Sequence, residues 1–256
     1  MSESTTIVSA FIYLSSGSKS LEFYVEQGVR LLQLDIPKII FIDEQVFSKF
    51  EGYQNSKTTL IKTRLHDLYL YKYKDKDKDK RPLQNPRVNT DNPTKDTFEY
   101  FVIQCNKTEW IREAINKTRE MREMNRFKQF IWLDFGIHHV LPHDITIASD
   151  SFLQDLTSNK VRIPSIWDLE TDHGRDCKRD ILWYFAGGVF GGPVDALLQF
   201  ADLTRAKCLA FVEETRDAHL MWEVNIWYLV WQENRDLFDP YRADHNASII
   251  LKYKIK

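Results

Sequence analysis

A run of four apolar residues, Phe130–Leu133, ends directly at Asp134, and Gly136 follows two positions later. The run lacks the polar alternation of a half-exposed strand, so it predicts a β-strand that is covered on both faces. In open α/β sheets, ligands collect beyond the carboxyl ends of such strands. Asp134 is therefore a candidate oxygen ligand for a phosphate-bridging Mg²⁺ or Mn²⁺, and Gly136 would let the backbone pass close to a bound group. The alternative is that Asp134 only caps the turn after a core strand.

The beginning of the chain has a similar arrangement of apolar strands and carboxylates. An apolar strand is predicted at Thr6–Tyr13, followed by a helix with Ser20 as its N-cap and by a second buried strand at Ile39–Ile42. A strand, a helix and a strand in this order predict a right-handed βαβ unit with parallel strands. Asp43 would then lie at the same edge of the sheet as Asp134, where it could accept hydrogen bonds from a base or ribose. A solvated loop acid is the alternative.

The composition limits the kind of protein that this chain can form. With 256 residues, of which 43% are hydrophobic and 28% charged, it is long enough for a single α/β domain covering residues 1–256. A net charge of -2 and a pI near 6.4 provide no basic surface for nucleic acid. The three cysteines lack the spacing of a zinc site or a disulfide framework, which fits a reducing compartment. The sequence shows neither a signal peptide nor an apolar segment of ~20 residues, so a soluble, cytoplasmic protein without a transmembrane segment is expected.

The middle of the chain combines helical patterns with a charged segment. Apolar spacing predicts a helix over Leu60–Tyr73, and alternating Lys and Asp, followed by prolines, predict an exposed insertion loop over residues 74–96. The functional alternative is that this loop forms a lid over the ligand crevice. Asp96–Met124 is again helical, with a break near Asn106 and Lys107. At a helix start Lys107 could reach a phosphate, whereas an unremarkable surface lysine is the competing interpretation.

Three histidines and an aspartate closely follow the central strand. His138, His139, His143 and Asp144 could form the metal cluster of a hydrolase, because imidazole and carboxylate groups are common metal ligands. Their spacing matches no zinc motif. Residues that merely line the turn after the strand are therefore the favoured interpretation.

Two pairs of glycines lie between an aromatic strand at Leu182–Phe185 and a helix that begins at Pro193. Paired glycines let backbone N–H groups meet a ligand without side chains in the way, and the start of a helix favours anions. The run predicts a loop that cradles a ligand, with a bulge and tight turn as the alternative. The glycines are Gly187, Gly188, Gly191 and Gly192.

The segment Leu220–Trp231 is apolar around its whole circumference except for Glu223 and Asn225, which predicts a buried helix. A carboxylate in that setting needs a cation, a donor or a ligand hydroxyl. A structural ion pair competes there with a functional role. Ile249–Leu251 predicts a last strand, and His245 before it has the character of an ordinary surface residue.

Taken together, several of these segments resemble the HtrL/YibB group of glycosyltransferase-like proteins, and they are similar to a predicted glycosyltransferase of large algal viruses. The resemblance is carried by VSAFIYL, FIDE, CNKTEWIREAI, WLDFGI and AGGVFGG. It covers most of the chain apart from residues 74–96 and 150–180. It implies a GT-A-like α/β fold, in which a mostly parallel central sheet flanked by helices holds a sugar nucleotide such as a UDP sugar and a divalent metal, Mn²⁺ or Mg²⁺.

The resemblance also implies roles for particular residues. Asp134 would bind metal and ribose, although Gly136 stands where the second aspartate of an Asp-x-Asp motif usually lies. His245, by its late position, would be a further metal ligand, and Glu223 would be the catalytic acid that faces the acceptor. Together with the residues singled out above, the expected nucleotide-sugar site consists of Phe11, Asp43, Lys107, Asp134, Gly136, Gly187, Gly188 and Gly191.

These observations predict a metal-dependent transferase that moves a sugar from a nucleoside diphosphate sugar to a carbohydrate or glycan acceptor. Departure of a diphosphate needs its developing charge neutralised, and an inverting transfer needs a base for the proton of the acceptor hydroxyl. Two alternatives stay open: a metal-dependent hydrolase, and a binding module that retains only the nucleotide pocket.

Overall fold

The computed structural model describes residues 5–17, 19–75, 93–120, 127–142, 159–213 and 220–253. In these ranges seven strands form one mixed sheet in the order β3-β2-β1-β4-β6-β5-β7. Strands β1 to β4 pair in parallel, whereas β6 runs antiparallel to both β4 and β5, and β7 is parallel to β5. The strands are β1 Thr5–Phe11, β2 Lys38–Asp43, β3 Thr58–Thr63, β4 Gln129–Leu133, β5 Val161–Ser165, β6 Val189–Pro193 and β7 Phe238–Arg242.

Helices flank the sheet, and side-chain caps begin the first two of them. Ser20 Oγ accepts a hydrogen bond from the backbone N–H of Phe23 at 3.2 Å, and Thr97 Oγ1 accepts one from that of Tyr100 at 3.1 Å. The helices are α1 Leu21–Leu32, α2 Phe98–Cys105, α3 Lys107–Glu120, α4 Val194–Glu213, α5 Glu223–Glu233 and α6 Ser248–Leu251. No helix in the described ranges is both long and apolar enough to cross a bilayer. The expected fold class, α/β with a mostly parallel sheet flanked by helices, is confirmed.

Successive residues of the central strands point to opposite faces of the sheet, and each face has its own apolar core. Ile131 and Leu133 pack in the core that contains the inner side of α1. Phe130 and Trp132 pack in the other core, together with buried residues of α2, α3, α4 and α5. Because both faces are covered, the unbroken apolar run in β4 is satisfied on each side.

The strand order reverses between β1 and β4. The chain leaves β1 toward β2 and β3 on one side, but β4 lies on the other side of β1. A crevice opens at such a reversal, outside the carboxyl ends of the two strands. Phe11 ends β1 and Asp134 follows β4 directly, so these two predicted site residues flank the crevice.

The predicted helix over Leu60–Tyr73 is wrong. Thr58–Thr63 forms β3, which pairs in parallel with β2 and places Leu60 opposite Ile40. The β-branched residues of this segment favour a pleated strand, and two short 3₁₀ turns follow it. The apolar spacing at this edge of the sheet therefore reflects strand alternation and turns.

The expected last strand over Ile249–Leu251 is also wrong. These residues belong to the short helix α6, in which Ile249 and Ile250 are buried. The last strand of the described residues is β7, which contains Pro240. A buried short helix needs apolar residues just as a buried strand does. Three consecutive apolar residues therefore do not distinguish a short helix from a strand.

The glycine run does not form a loop throughout. The segment Leu182–Phe185, predicted as an aromatic strand, forms no strand of its own. It contributes only an isolated β-bridge between Phe185 and Ser165. Val189–Pro193 forms β6 instead, and α4 begins at Val194, directly after Pro193. The first glycine pair therefore lies in a turn, whereas the second lies inside the sheet.

Candidate functional site

A pocket of about 220 Å³ lies at the carboxyl ends of β1 and β4, in the crevice at the reversal of strand order. Four of the predicted site residues, Phe11, Lys107, Asp134 and Gly136, line it. Phe11 stacks on Phe135 with ring centroids 5.1 Å apart, so core packing holds this part of the wall. The aromatic residues of the wall are Phe11, Phe23, Tyr24, Tyr100, Trp110, Trp132 and Phe135.

The ammonium group of Lys107, beside this pocket, contacts three oxygens that come from different parts of the chain. Its Nζ lies 2.9 Å from Asp134 Oδ1 and 2.9 Å from Glu223 Oε1. The carbonyl oxygen of Gly187 is 3.0 Å away. Lys107 begins α3, Asp134 follows β4, and Glu223 begins α5. The structure thus brings together four predicted site residues, two of which lie 116 positions apart in the sequence.

These contacts fix Lys107 as a cation. Burial alone lowers the pKa of a lysine, and the Lys107 side chain is only 3% exposed. The carboxylates of Asp134 and Glu223, with the hydrogen bonds that they accept, outweigh burial, so the pKa of Lys107 lies above its usual value. An ammonium group has three N–H donors, and the three oxygens around Nζ match that number.

Asp134 is oriented by its neighbours in the sheet and by Lys107. Its Oδ1 also accepts a hydrogen bond from Trp132 Nε1 at 2.7 Å, and its backbone N–H donates to the carbonyl oxygen of Gly188 at 2.9 Å. The side chain is 38% exposed. Asp134 is therefore the carboxylate of this cluster that the contents of the pocket can reach.

Glu223 lies behind this contact, at the buried start of α5. Its side chain is 3% exposed. In the part of the chain that the structure describes, its second oxygen, Oε2, is buried without a hydrogen-bond partner. An unpartnered carboxylate oxygen is costly in an apolar setting, so a bound donor such as a substrate hydroxyl would be stabilised there. The ion pair that the sequence left as an alternative is formed by Lys107.

The first glycine pair packs against this cluster. A Cβ on Gly187 would stand 2.0 Å from Oε1 of Glu223 and 3.2 Å from Nζ of Lys107. Gly188 is closely packed as well. Among the described glycines only Gly174 has a positive φ. Lack of space, rather than backbone conformation, therefore requires glycine at position 187, whereas at position 188 a Cβ would meet the end of the Ile137 side chain at 2.9 Å.

Two other predicted site residues have local structural roles. Asp43 accepts hydrogen bonds from the backbone N–H groups of Tyr13 at 3.2 Å and Gln45 at 3.0 Å, so this buried carboxylate holds the turn after β2. Gly191 lies within β6, where a Cβ would stand 2.7 Å from the carbonyl oxygen of Phe130. Neither residue is among those that line the pocket, and their ligand contacts stay predictions.

The histidines after β4 form no metal cluster within the described ranges. His138 is buried in the turn, and burial together with the nearby charge of Arg30 lowers its pKa to about 4. His139 is exposed and lines the pocket. His143 and Asp144 lie outside the described residues, so the hydrolase alternative is not tested there.

A row of aromatic rings leads from the pocket wall to His245. Tyr100 lines the pocket, and its ring centroid lies 5.1 Å from that of Trp222. Trp222 lies 5.6 Å from Trp183, and Trp183 lies 4.6 Å from His245. We call Tyr100, Trp222 and Trp183 the aromatic row. His245 thus packs on a tryptophan and is not among the residues that line the pocket, and its role as a metal ligand stays a prediction.

Sequence reasoning missed the aromatic row and two lysines, Lys19 and Lys95, that line the pocket. Lys95 Nζ lies near the rings of the aromatic row. Burial lowers the pKa of Lys95, and the carboxylates of Asp134 and Glu223 oppose that effect. Lys95 falls at the end of the predicted insertion loop, of which residues 76–92 lie outside the described ranges. The sequence alone does not distinguish a pocket lysine at the end of a charged loop from a solvent-exposed lysine.

The divalent ion that the resemblance implies fits these residues poorly. An ion that bridges phosphates needs at least one carboxylate whose charge is available. Asp134 is the only described carboxylate that lines the pocket, and Lys107 already lies 2.9 Å from it. Because Lys19 and Lys95 line the same pocket, a further cation would be repelled. The described residues of this pocket therefore do not suit a divalent ion.

Comparisons with other proteins give a match to a family model and likenesses to solved structures. Residues 3–244 match the model of a family described as "Bacterial protein of unknown function (HtrL_YibB)". No curated protein matches the chain. The chain is similar to the crystal structure of a glycosyltransferase involved in the glycosylation of the major capsid of PBCV-1, with 13% sequence identity and a TM-score of 0.43. The match covers 93% of this chain and 81% of that chain. A likeness at this level assigns no substrate and no residue role.

Proposed function

We propose that this chain, which belongs to the HtrL_YibB family, transfers a sugar from a nucleoside diphosphate sugar to a carbohydrate acceptor. The membership confirms the resemblance that the sequence segments indicate. Because the family description assigns no activity, the proposal depends on the site. The observation that carries it is an aromatic, lysine-lined pocket at the reversal of strand order, beside two carboxylates that Lys107 joins.

The pocket offers the groups that a nucleotide needs. Partly exposed aromatic rings such as Phe23 and Tyr24 provide faces on which a base stacks, and Lys19 and Lys95 supply positive charge for a diphosphate. Open α/β sheets bind nucleotides at this position. The volume of about 220 Å³ is below the roughly 300–1,000 Å³ that is usual for ligand sites. A sugar nucleotide would therefore extend from the pocket toward the aromatic row.

Glu223 is the residue to which we assign proton transfer. The acceptor hydroxyl oxygen forms a bond to the anomeric carbon, the bond from that carbon to the diphosphate breaks, and the diphosphate leaves with the electron pair. The hydroxyl proton passes to Glu223, whose Oε2 is without a partner in the described residues while Lys107 holds Oε1. Glu223 is buried and is not among the residues that line the pocket, but Tyr100 of the aromatic row and Lys95, which do line it, both interact electrostatically with this carboxylate. Proton transfer to Glu223 therefore requires that the acceptor hydroxyl reach it past these side chains when the substrates bind.

Thermal-shift measurements with nucleoside diphosphates test the nucleotide site. A ligand that binds only the folded form at about 100 times its Kd adds ~2.7 kcal/mol to the free energy of unfolding. We expect stabilisation by UDP or GDP, and a smaller effect in Lys95→Gln. Lys178→Gln is the matched control, because Lys178 is exposed and lies outside the pocket. Absence of stabilisation by every nucleoside diphosphate would contradict the proposal.

Turnover distinguishes the transferase from its two alternatives. The protein is incubated with a panel of sugar nucleotides, with and without oligosaccharide acceptors. An elongated acceptor supports the transferase, whereas sugar released without any acceptor supports a hydrolase. Nucleotide binding without either product would indicate a binding module.

A further inference from the structure

The Lys107 ammonium group lies in a cage of oxygens like those that surround metal ions. The cage consists of two carboxylate oxygens and one carbonyl oxygen, from Asp134, Glu223 and Gly187, all within 3.0 Å of Nζ. Carboxylate and carbonyl oxygens are the ligands that hard cations take in proteins. We propose that Lys107 is the permanent cation of this site, and that the chain binds a nucleoside diphosphate without a divalent ion.

Every N–H donor of the Lys107 ammonium group is already used within the cage. Its three N–H donors meet three oxygens, so a metal ion that used the same oxygens would have to displace the side chain. Lys107 is 3% exposed, and its departure would leave the buried carboxylate of Glu223 and the partly exposed one of Asp134 without this cation. The cage is also tight, because even a single added carbon on Gly187 would stand 2.0 Å from Glu223 Oε1.

Other lysines complete the charge balance for an anionic ligand. Two carboxylates around one ammonium leave the cluster negatively charged, and Lys95 interacts electrostatically with both Asp134 and Glu223. Lys19 lines the same pocket. Lysine side chains can therefore neutralise a diphosphate where metal-dependent enzymes use an ion. Neutralisation of a diphosphate by these lysines rests on the proposed function, whereas the identity of the caged cation does not.

Titration with Mn²⁺ tests the caged cation without any nucleotide. Binding is followed by calorimetry and by the melting temperature, for the wild type and for Lys107→Met. The wild type should show no saturable binding. In Lys107→Met the carboxylates lose their cation while the side-chain volume stays similar, so Mn²⁺ should bind and raise the melting temperature. Lys107→Arg, which keeps a cation, and Lys178→Met, which removes an exposed lysine outside the pocket, should both behave like the wild type.

Two results of this titration would overturn the inference. One is saturable Mn²⁺ binding by the wild type that Asp134→Asn abolishes. The other is a folded Lys107→Met variant that binds no Mn²⁺. If Lys107→Met does not fold, the titrations of the wild type and of Lys107→Arg decide, because binding of Mn²⁺ by either contradicts a lysine as the resident cation.

A second experiment measures UDP affinity of the wild type in EDTA and in Mn²⁺, with the Mn²⁺ complex of free UDP taken into account. The two affinities should agree within about twofold, and strengthening by about tenfold or more would overturn the inference. If no nucleoside diphosphate binds in either condition, the proposed function fails. The Mn²⁺ titration without nucleotide still decides which cation the cage holds.

Discussion

Two carboxylates, and not one, compensate the buried ammonium group of Lys107. Removing one member of a buried ion pair costs about 3–5 kcal/mol when the remaining charge is left uncompensated. Lys107 has two carboxylate partners, Asp134 and Glu223, so either can be changed while the other still compensates the cation. Substituting a carboxylate therefore separates chemistry from folding better than substituting the lysine.

For Glu223→Gln we expect kcat to fall by roughly 100-fold to 10,000-fold, because the amide cannot take the proton of the acceptor hydroxyl. The affinity for the nucleotide should change little, since Asp134 still holds Lys107. The measurements are transfer rate, nucleotide affinity and melting temperature on the same preparation.

Glu233→Gln is the matched control for this substitution. Glu233 ends the same helix and pairs with Lys207 at 2.6 Å, but its side chain is 61% exposed, so its loss should cost little. Normal transfer by Glu223→Gln together with a lowered melting temperature would mean that the residue only anchors Lys107.

The sequence predicts the need for a partner at Glu223 but not the partner itself. The helix around Glu223 is otherwise apolar, which is sufficient to expect a cation or donor. Lys107 gives no matching signal, because a lysine at a helix start also fits an exposed position. Apolar periodicity carries no information on contacts between residues 116 positions apart.

At the scale of elements, one glycine-rich segment serves two structures. Gly187 and Gly188 form the turn that packs against the Lys107 cluster, whereas Gly191 and Gly192 lie in β6. A Cβ on Gly192 would stand 2.7 Å from the carbonyl oxygen of Lys160. Close packing of a strand against its neighbours and close packing of a turn against a site both require glycine, so the sequence alone could not separate them.

Gly187→Ala should disturb the site strongly. The new methyl group would stand 2.0 Å from Glu223 Oε1, so the carboxylate must move away and loosen its contact with Lys107. We expect a lower melting temperature, by the equivalent of about 1–3 kcal/mol of overpacking, and a loss of transfer.

Gly136→Ala is the comparison for Gly187→Ala. Its Cβ would meet Tyr24 at 3.6 Å, which is an ordinary contact, so melting should change little. Equal melting temperatures and equal transfer rates in the two variants would contradict the role assigned to the turn at Gly187.

Helices with an N-cap residue and a clear apolar face could be predicted from the sequence, whereas strands that contain polar residues could not. Ser20 and the break at Asn106 mark helix ends that the structure has. β5 was missed because it contains Arg162 and Pro164, which resemble a loop. In the structure Arg162 is buried and its NH1 lies 2.8 Å from Asp239 of β7, so a neighbouring strand supplies the charge that the sequence leaves unpaired.

At the scale of the whole molecule, the two cores also enclose ionisable groups. His138 is buried among apolar residues, and its pKa in the folded protein is about 4 instead of 6.5. As the pH falls from about 6.5 toward about 4, the unfolded chain takes up a proton that the folded chain does not. The contribution of neutral His138 to stability is therefore complete above this range and is lost as the pH falls through it.

We expect His138→Leu to flatten the pH dependence of the free energy of unfolding by about 1–3 kcal/mol between about pH 7 and about pH 4. Urea unfolding at several pH values measures this. His66→Leu, at an exposed position, should leave the dependence as it is in the wild type. A wild-type slope in His138→Leu would show that the histidine is not buried as a neutral group.

The contact between Lys107 and Glu223 also has a consequence for folding, because 116 positions separate the two residues. Contacts of such large separation must overcome the entropy of closing a long loop, and they slow folding. During synthesis the N-terminal part of the chain leaves the ribosome first, so β1, β2 and β3 are released while Glu223 is still to be made. The residues of this sheet edge therefore emerge before the contact between Lys107 and Glu223 can form, and the transfer that we propose would begin only when α5 reaches Lys107.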